Sequence, residues 1–409
     1  MSYLSQSVQW HLTEACPNRC KHCYIGQSSN TERRKDELDF PDFVSILDNL
    51  ARFEQKYGIT IDSFSLTGGD PFEHKDFEKL LQELVRRKKQ IKILGIPERI
   101  TDENIYMLEK YGITAYQVSL DGLPVTHDNI RGAGSFQRTI KAIRKIGSSK
   151  IHPLVMFTLH DGNMDEMFEL IDYLDDLNIK ISFSFDFLVF EGNACTNFST
   201  LSKEKVDEII HRYRNKAVLL RQHKRKLILR EKVKLFETLD IQGASTIFEK
   251  YSYVCGCSCG MTSIAILPNG NVYPCRRLPI GVGNLLQEEY GQIFINNPLM
   301  RKLRRISSFM ECVDCDYAKV CRGCPALAYS VSGDPFSAMP YCSQKEKVTS
   351  LITEPDISCS EEDELLYITN TLTKHISQDG VTDNKSALYH DIYKKVFILA
   401  RSRKEEKHI

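Results

Sequence analysis

The chain has 409 residues, of which 42% are hydrophobic and 26% charged, which is typical of a globular protein with room for more than one domain. Its 54 basic and 54 acidic side chains cancel, so no excess of positive charge is available to bind a nucleic acid backbone. The N-terminus has no basic start followed by an apolar run, and no apolar run approaches the ~20 residues of a membrane helix. We therefore expect a cytoplasmic protein that spans no membrane.

Short apolar runs alternate with amphipathic segments through the first half of the chain. The runs predict strands over residues 7–13, 59–66, 91–96, 113–120, 153–159 and 181–187. Apolar residues at helical spacing predict helices around Leu47, Leu81, Ile140 and Leu170. Six strands separated by helices predict a parallel sheet. Because six units are too few for a closed eight-fold barrel, we expect an α/β partial barrel over residues 1–200, with its chemistry at the carboxyl ends of the strands.

The second half of the chain changes character twice. Residues 201–254 are highly charged and predict a helical connector. Residues 255–345 are rich in Cys, Gly and Pro, which indicates a domain organised by metal ligation more than by a large apolar core. Residues 346–409 predict a helical C-terminal extension, in which Ser360 and Ser386 could each cap a helix.

The cysteines are the most informative residues. Of 14 in total, three lie within residues 16–23 and nine within residues 255–342. Without a secretion signal, such clusters favour metal binding or catalysis over disulfides.

The first cluster follows the first predicted strand. Cys16, Cys20 and Cys23 could ligate three irons of a 4Fe–4S cluster and leave the fourth iron open to a small molecule, since protein clusters usually have four cysteine ligands. The alternative is a zinc site that takes a fourth ligand such as His22 or His11.

This Cys-x3-Cys-x2-Cys motif, placed after the first strand of a partial barrel, resembles that of the radical S-adenosylmethionine (SAM) superfamily. The resemblance implies that the open iron binds SAM and that the reduced cluster cleaves it to a 5′-deoxyadenosyl radical, which takes a hydrogen atom from the substrate. It also implies that His22 lies near the adenine.

Two later motifs resemble SAM-binding segments of the same superfamily. Gly68, Gly69 and Asp70 follow the second strand and correspond to a Gly-Gly-Glu motif that holds the SAM amino group, with Asp in place of Glu. Ser119 and Arg131, in and after the fourth strand, are implied to hold the SAM carboxylate, a group that Arg binds well.

The C-terminal cysteines resemble those of the SPASM domain, which binds two auxiliary 4Fe–4S clusters. The resemblance assigns the outer cluster to Cys312, Cys315, Cys321 and Cys342. It assigns Cys275 and Cys324 to the inner cluster, together with members of a group of three competing candidates, Cys255, Cys257 and Cys259. If only three ligands engage, the inner cluster keeps an open iron. With the SAM cluster this makes three clusters; the alternative is a zinc domain built on the Cys-x2-Cys pairs.

Enzymes with this domain mostly modify peptides, so we expect a maturase that crosslinks a ribosomally made peptide. Cys16 leaves no room ahead of the barrel for a leader-binding domain, so a separate leader-binding protein is a candidate partner, alongside an electron donor such as ferredoxin or flavodoxin.

The residues after Cys275 bear on the type of reaction. The sulfatase-maturing group has an Asp base after the cysteine that matches Cys275, whereas this chain has Arg276 and Arg277, which cannot act as bases. This counts against sulfatase-type maturation. The arginines would suit an acidic substrate or be surface charges. Oxidation or epimerisation of a small molecule is a second candidate reaction, and a zinc-binding module without redox chemistry is a candidate from a different class of protein.

Overall fold

The computed structural model describes residues 5–25, 36–230, 257–313, 315, 321, 323–342, 360–361 and 364–365. Six parallel strands form the centre of the sheet in chain order, which confirms the predicted α/β partial barrel. They are β1 (Ser5–His11), β2 (Thr60–Thr67), β3 (Gln90–Leu94), β4 (Ala115–Ser119), β5 (His152–Leu159) and β6 (Ser182–Phe187).

Four further short strands extend the sheet at both edges, which the sequence did not predict. Strand β7 (Ile228–Leu229) pairs parallel with β6, and β8 (Ser263–Ile266) pairs parallel with β1. Strand β9 (Asn271–Tyr273) then pairs antiparallel with β8, and β10 (Gly283–Asn284) pairs antiparallel with β9. The cysteine-rich part of the chain is therefore joined to the barrel through one continuous sheet.

Helices follow most of the central strands. They are α1 (Phe40–Tyr57), α2 (Phe77–Arg86), α3 (Asp102–Lys110), α4 (Pro124–Arg131), α5 (Ser135–Gly147), α6 (Met167–Asp176) and α7 (Ala194–Asn197). Helix α1 shows why these segments fold locally: Asp39 and Asp42 form a capping box at its start, and Gly58 ends it with a φ of 68°. Its apolar face includes Phe43, whose ring packs edge-on against Trp10 of β1 at 5.2 Å.

The charged segment predicted as a helical connector contains α8 (Lys203–Gln222), and residues 231–256 lie outside the described part of the chain. Helix α8 packs on the barrel. Its buried Tyr213 donates hydrogen bonds to the carbonyls of Phe183 in β6 and of Arg230 just after β7. Two shorter helices, α9 (Pro298–Arg304) and α10 (Pro325–Ser332), belong to the cysteine-rich part.

The described start of the C-terminal extension packs between the barrel and α9. Residues Glu361, Glu364 and Leu365 are helical, and the Glu364 carboxylate is buried against the guanidinium groups of Arg304 and Arg305. Glu361 accepts a hydrogen bond of 2.7 Å from Tyr57 of α1. The rest of this extension, including the predicted helix after Ser386, lies outside the described residues. Among the helices that the structure describes, none is long and apolar enough to cross a membrane.

Candidate active site

The three cysteines of the first motif line one open pocket at the carboxyl ends of the central strands. Cys16, Cys20 and Cys23 lie in the loop that follows β1. The pocket has a cavity volume of about 180 Å³ and opens to solvent. Its other walls come from the ends of β2 to β6 and from the loop after β9, and include Gly68, Gly69, Ile96, Ser119, Arg131, Met156, Asp186, Val189, Arg276 and Arg277.

Burial raises the pKa of two thiols in this loop. It raises the pKa of Cys16 to about 12, and the neighbouring thiols of Cys20 and Cys23 add to the rise. Burial likewise raises the pKa of Cys20, although Arg131 opposes the shift. Because metal ligands are thiolates, a bound cation would favour ionisation of Cys16 and Cys20. Three thiols that line one partly buried pocket fit an iron–sulfur cluster by the chemistry of the donor set.

Two asparagines that the sequence did not single out hold the cysteine loop. The backbone N–H of Asn193 donates to the carbonyl of Cys23 at 3.0 Å, and its side chain donates to the carbonyl of Cys20 at 3.2 Å. The side chain of Asn197 donates to the carbonyl of Lys21 at 2.9 Å. Three backbone carbonyls of the loop are thus fixed by the segment after β6.

The two glycines of the second motif bring the loop after β2 against the segment that leads to Cys16. Gly69 N–H donates to the Thr13 carbonyl at 2.7 Å, and Asp70 N–H donates to the Ala15 carbonyl at 2.8 Å. A Cβ at residue 69 would lie 2.2 Å from the oxygen of Ala15 and one at residue 68 would lie 2.3 Å from that of Thr13. Only glycine permits this approach.

Asp70 itself does not line the pocket. It is fully buried, and its carboxylate pairs with Arg99 and accepts the N–H of Phe72 at 3.2 Å. In this structure the Asp70 side chain therefore orients the turn after β2 from behind, and its predicted contact with the SAM amino group stays a prediction.

Ser119 and Arg131 both line the pocket, and Arg131 is part of a buried network around Asp121. The Asp121 carboxylate accepts a hydrogen bond from Arg131, accepts the N–H of Thr158 at 2.7 Å and lies 3.3 Å from His22 Nε2. Burial opposes ionisation of Asp121, but Arg131 and His22 hold its pKa well below the usual range. Burial also lowers the pKa of His22, so that the ring is neutral near pH 7.

The same network reaches the cysteine loop. Arg131 Nη1 lies 3.7 Å from Cys20 Sγ, and Nη2 lies 3.1 Å from His22 Nε2. The Arg131 charge is therefore balanced by Asp121 while its N–H groups support the loop. Asp121 is close in sequence to Ser119, but its buried position between β4 and α4 could not be read from spacing.

Four thiols predicted to bind the inner auxiliary cluster come together behind this pocket. The Cys259 thiol hydrogen-bonds to that of Cys275 and lowers the pKa of Cys275 to about 6. A hydrogen bond with Cys257, together with burial, raises the pKa of Cys324 well above its usual value. The remaining candidate, Cys255, lies outside the described residues. The described thiols alone provide four ligands for the inner group.

The outer group also comes together. Burial raises the pKa of Cys312 to about 12, and the thiols of Cys342 and Cys315 add to the rise. Cys321 is affected in the same way by burial and by the other three thiols. All four cysteines assigned to the outer cluster are therefore neighbours.

Comparisons with known proteins agree with this arrangement. Residues 10–174 match the family model of the radical SAM superfamily, and residues 255–325 match SPASM, an iron–sulfur cluster-binding domain. The AdoMet-dependent heme synthase of Methanosarcina barkeri is 26% identical over 354 residues, which cover 84% of this chain and 97% of that protein. The antilisterial bacteriocin subtilosin biosynthesis protein AlbA of Bacillus subtilis is 26% identical over 329 residues, which cover 77% of this chain and 66% of that protein.

The fold is shared with a solved structure. Streptococcus suis SuiB bound to S-adenosylmethionine superimposes with a TM-score of 0.62 at 18% identity, covering 82% of this chain and 76% of SuiB. The partial barrel, the thiol-lined pocket and the two matched domains together define an enzyme that uses SAM and iron–sulfur clusters. Residues 10–174 are a radical SAM domain, and residues 255–325 are a SPASM domain.

Proposed function

We propose that this radical SAM enzyme modifies a ribosomally made peptide, most simply by forming an intramolecular crosslink. The observation that carries the proposal is the single pocket that runs from the cysteine loop to Arg276 and Arg277, which follow Cys275 of the inner thiol group. A substrate held there would contact the first cysteine loop and the two arginines that follow Cys275. Similarity to AlbA, a bacteriocin biosynthesis protein, supports a peptide as the substrate.

In this proposal Cys16, Cys20 and Cys23 hold a 4Fe–4S cluster, and His22, Gly68, Gly69, Ser119 and Arg131 surround SAM, with Asp70 as a further predicted contact. When bound, these groups supply the hydrogen-abstracting radical chemistry of the superfamily. The residues of the chain itself position the cysteine loop and shield the reacting carbon from water. Asn193 and Asn197 fix the loop, and the apolar side chains of Ile96, Met156 and Val189 keep water from the reacting carbon.

The SPASM cysteines are proposed to hold two auxiliary clusters, with Cys257, Cys259, Cys275 and Cys324 around the inner one. Complete ligation by protein would make the inner cluster an electron acceptor and leave no iron open to substrate. Three cubanes correspond to roughly twelve irons per chain. A reduced ferredoxin or flavodoxin would supply electrons to the first cluster.

A second candidate is a reaction on a small molecule. It is favoured by the heme synthase relative, which this chain matches over 97% of that protein's length. The pocket opens to solvent, and this open mouth is compatible with either substrate class.

The test is co-expression with each short open reading frame beside the gene, followed by mass spectrometry of the peptides. A crosslink removes two hydrogens per modification. The matched control is the same co-expression with the Cys16, Cys20 and Cys23 triple Ala variant, which should leave the peptide mass unchanged. Unmodified peptides in every case, together with turnover of a free small molecule, would reject the peptide proposal in favour of the second candidate.

A further inference from the structure

Two neighbouring arginines in the pocket differ in what balances their charge. Both ends of the Arg277 guanidinium contact groups of the protein. Its Nη1 donates to the Phe187 carbonyl at 3.0 Å, and its Nη2 lies 3.4 Å from Asp186 Oδ1. Arg277 therefore fixes the loop after β9 to the end of β6, and its charge is balanced there.

Arg276 has a different environment. Its guanidinium lies over the ring of Tyr24, 5.7 Å from the centroid, and the Tyr24 hydroxyl lies 3.3 Å from Nε2 of the buried His11. Tyr24 thus has a fixed position and supports the guanidinium through a cation–π contact. No carboxylate within the described part of the chain forms an ion pair with Arg276.

The charges of the pocket lining also single out Arg276. Among the described residues, three arginines and one carboxylate, Asp186, line the pocket. The charge of Arg131 is balanced by the buried Asp121, and the charge of Arg277 is balanced by Asp186. Arg276 remains as the guanidinium that a ligand can neutralise. A planar guanidinium in a partly desolvated pocket binds a carboxylate through two parallel hydrogen bonds more strongly than the same group does in open water.

We propose that Arg276 binds a carboxylate of the substrate, namely an Asp or Glu side chain or the C-terminus of the peptide. The proposal rests on the proposed function and adds the chemical class of the recognised group. The apolar residues Leu188 and Val189 line the same pocket and suit the carbon chain that bears this carboxylate. SAM also carries a carboxylate, so the test separates the two sources.

Arginine modification by phenylglyoxal, mapped by mass spectrometry, measures access to Arg276 in the cluster-loaded protein. The probes are the acetylated, amidated tripeptide Ala-Glu-Ala and its glutamine twin, each added in the presence of SAM. We expect the glutamate peptide to protect Arg276 and the glutamine peptide to leave it reactive. Arg138, which is exposed and pairs with Glu98 away from the pocket, should react equally in all samples. Protection by SAM alone, or equal protection by both peptides, overturns the proposal.

A binding measurement gives a second, independent test. A fluorescent glutamate tripeptide should bind the Arg276→Gln variant at least about tenfold more weakly than the wild type, while Arg276→Lys retains part of the affinity, as expected for loss of a charge-assisted hydrogen bond. The affinity for SAM is measured on the same variants, and an equal loss there would assign Arg276 to the cofactor. Neither assay requires turnover. Unmodified candidate peptides would therefore reject the proposed function while leaving a positive carboxylate result intact.

Discussion

Gly69→Ala tests whether the second motif acts by positioning the cysteine loop. The added Cβ would lie 2.2 Å from the carbonyl oxygen of Ala15 and 2.5 Å from that of Glu14, whereas ordinary contacts begin at 3.4 Å. The backbone that leads to Cys16 must therefore move by about 1 Å. Overpacking of this kind costs roughly 1–3 kcal/mol, and a misplacement of about 1 Å can reduce a reaction rate by ~100-fold.

The assay combines thermal unfolding, iron content and the rate of 5′-deoxyadenosine formation from SAM. Gly112→Ala is the control, because a Cβ at residue 112 meets nothing within 4 Å while its φ of 66° carries the strain of a left-handed backbone. That strain costs about 1–2 kcal/mol. We expect both variants to lose stability, but only Gly69→Ala to lose SAM cleavage by about two orders of magnitude. Equal SAM cleavage in the two variants would refute the positioning role.

Three further predictions concern the cysteine loop, the buried His127 and the start of the C-terminal extension. Asn193→Asp keeps the side-chain shape but removes the N–H that binds the loop, so a chelator should remove iron from the first cluster about tenfold faster than from the wild type. Asn178→Asp, at an exposed residue between α6 and β6, is the control and should match the wild type. Equal rates in both variants would contradict the role of Asn193 in holding the loop. Burial lowers the pKa of His127 from 6.5 to about 4, so the unfolded chain binds more protons between these values. The free energy of unfolding should therefore fall as the pH drops from 6.5 to 4, and less steeply in His127→Gln; identical slopes argue against it. Glu364→Gln leaves the buried Arg304 without its full counter-charge and should cost about 3–5 kcal/mol in urea unfolding, and a loss below ~1 kcal/mol would contradict a structural role.

The central strands were predictable because each brings buried apolar residues together in a short segment between helical patterns. The structure places β2 and β6 within one residue of the predicted bounds. Strands β7 and β10 have only two residues each, too few for any periodicity to appear. Helix α4 was missed for a related reason, since only His127 and Ile130 of its eight residues are buried.

The site was predictable where a motif is local and not where it depends on tertiary contacts. Cys16, Cys20 and Cys23 are close in sequence, and their common pocket follows from the position of the loop. Asn193 lies 173 residues after Cys20 and contacts the loop through backbone carbonyls, which leave no sequence signal. The orientation of Asp70 toward Arg99 depends on the path of the turn after β3, which no local pattern specifies.

The central claim is that the first cysteine loop carries reductive cleavage of SAM. The most direct measurement is formation of 5′-deoxyadenosine by anaerobically reconstituted, reduced protein, compared with the variant in which Cys16, Cys20 and Cys23 are all changed to Ala. The account predicts turnover in the wild type and none in the variant, which should still retain the iron of the SPASM domain. Cleavage at the wild-type rate in the triple variant would contradict it.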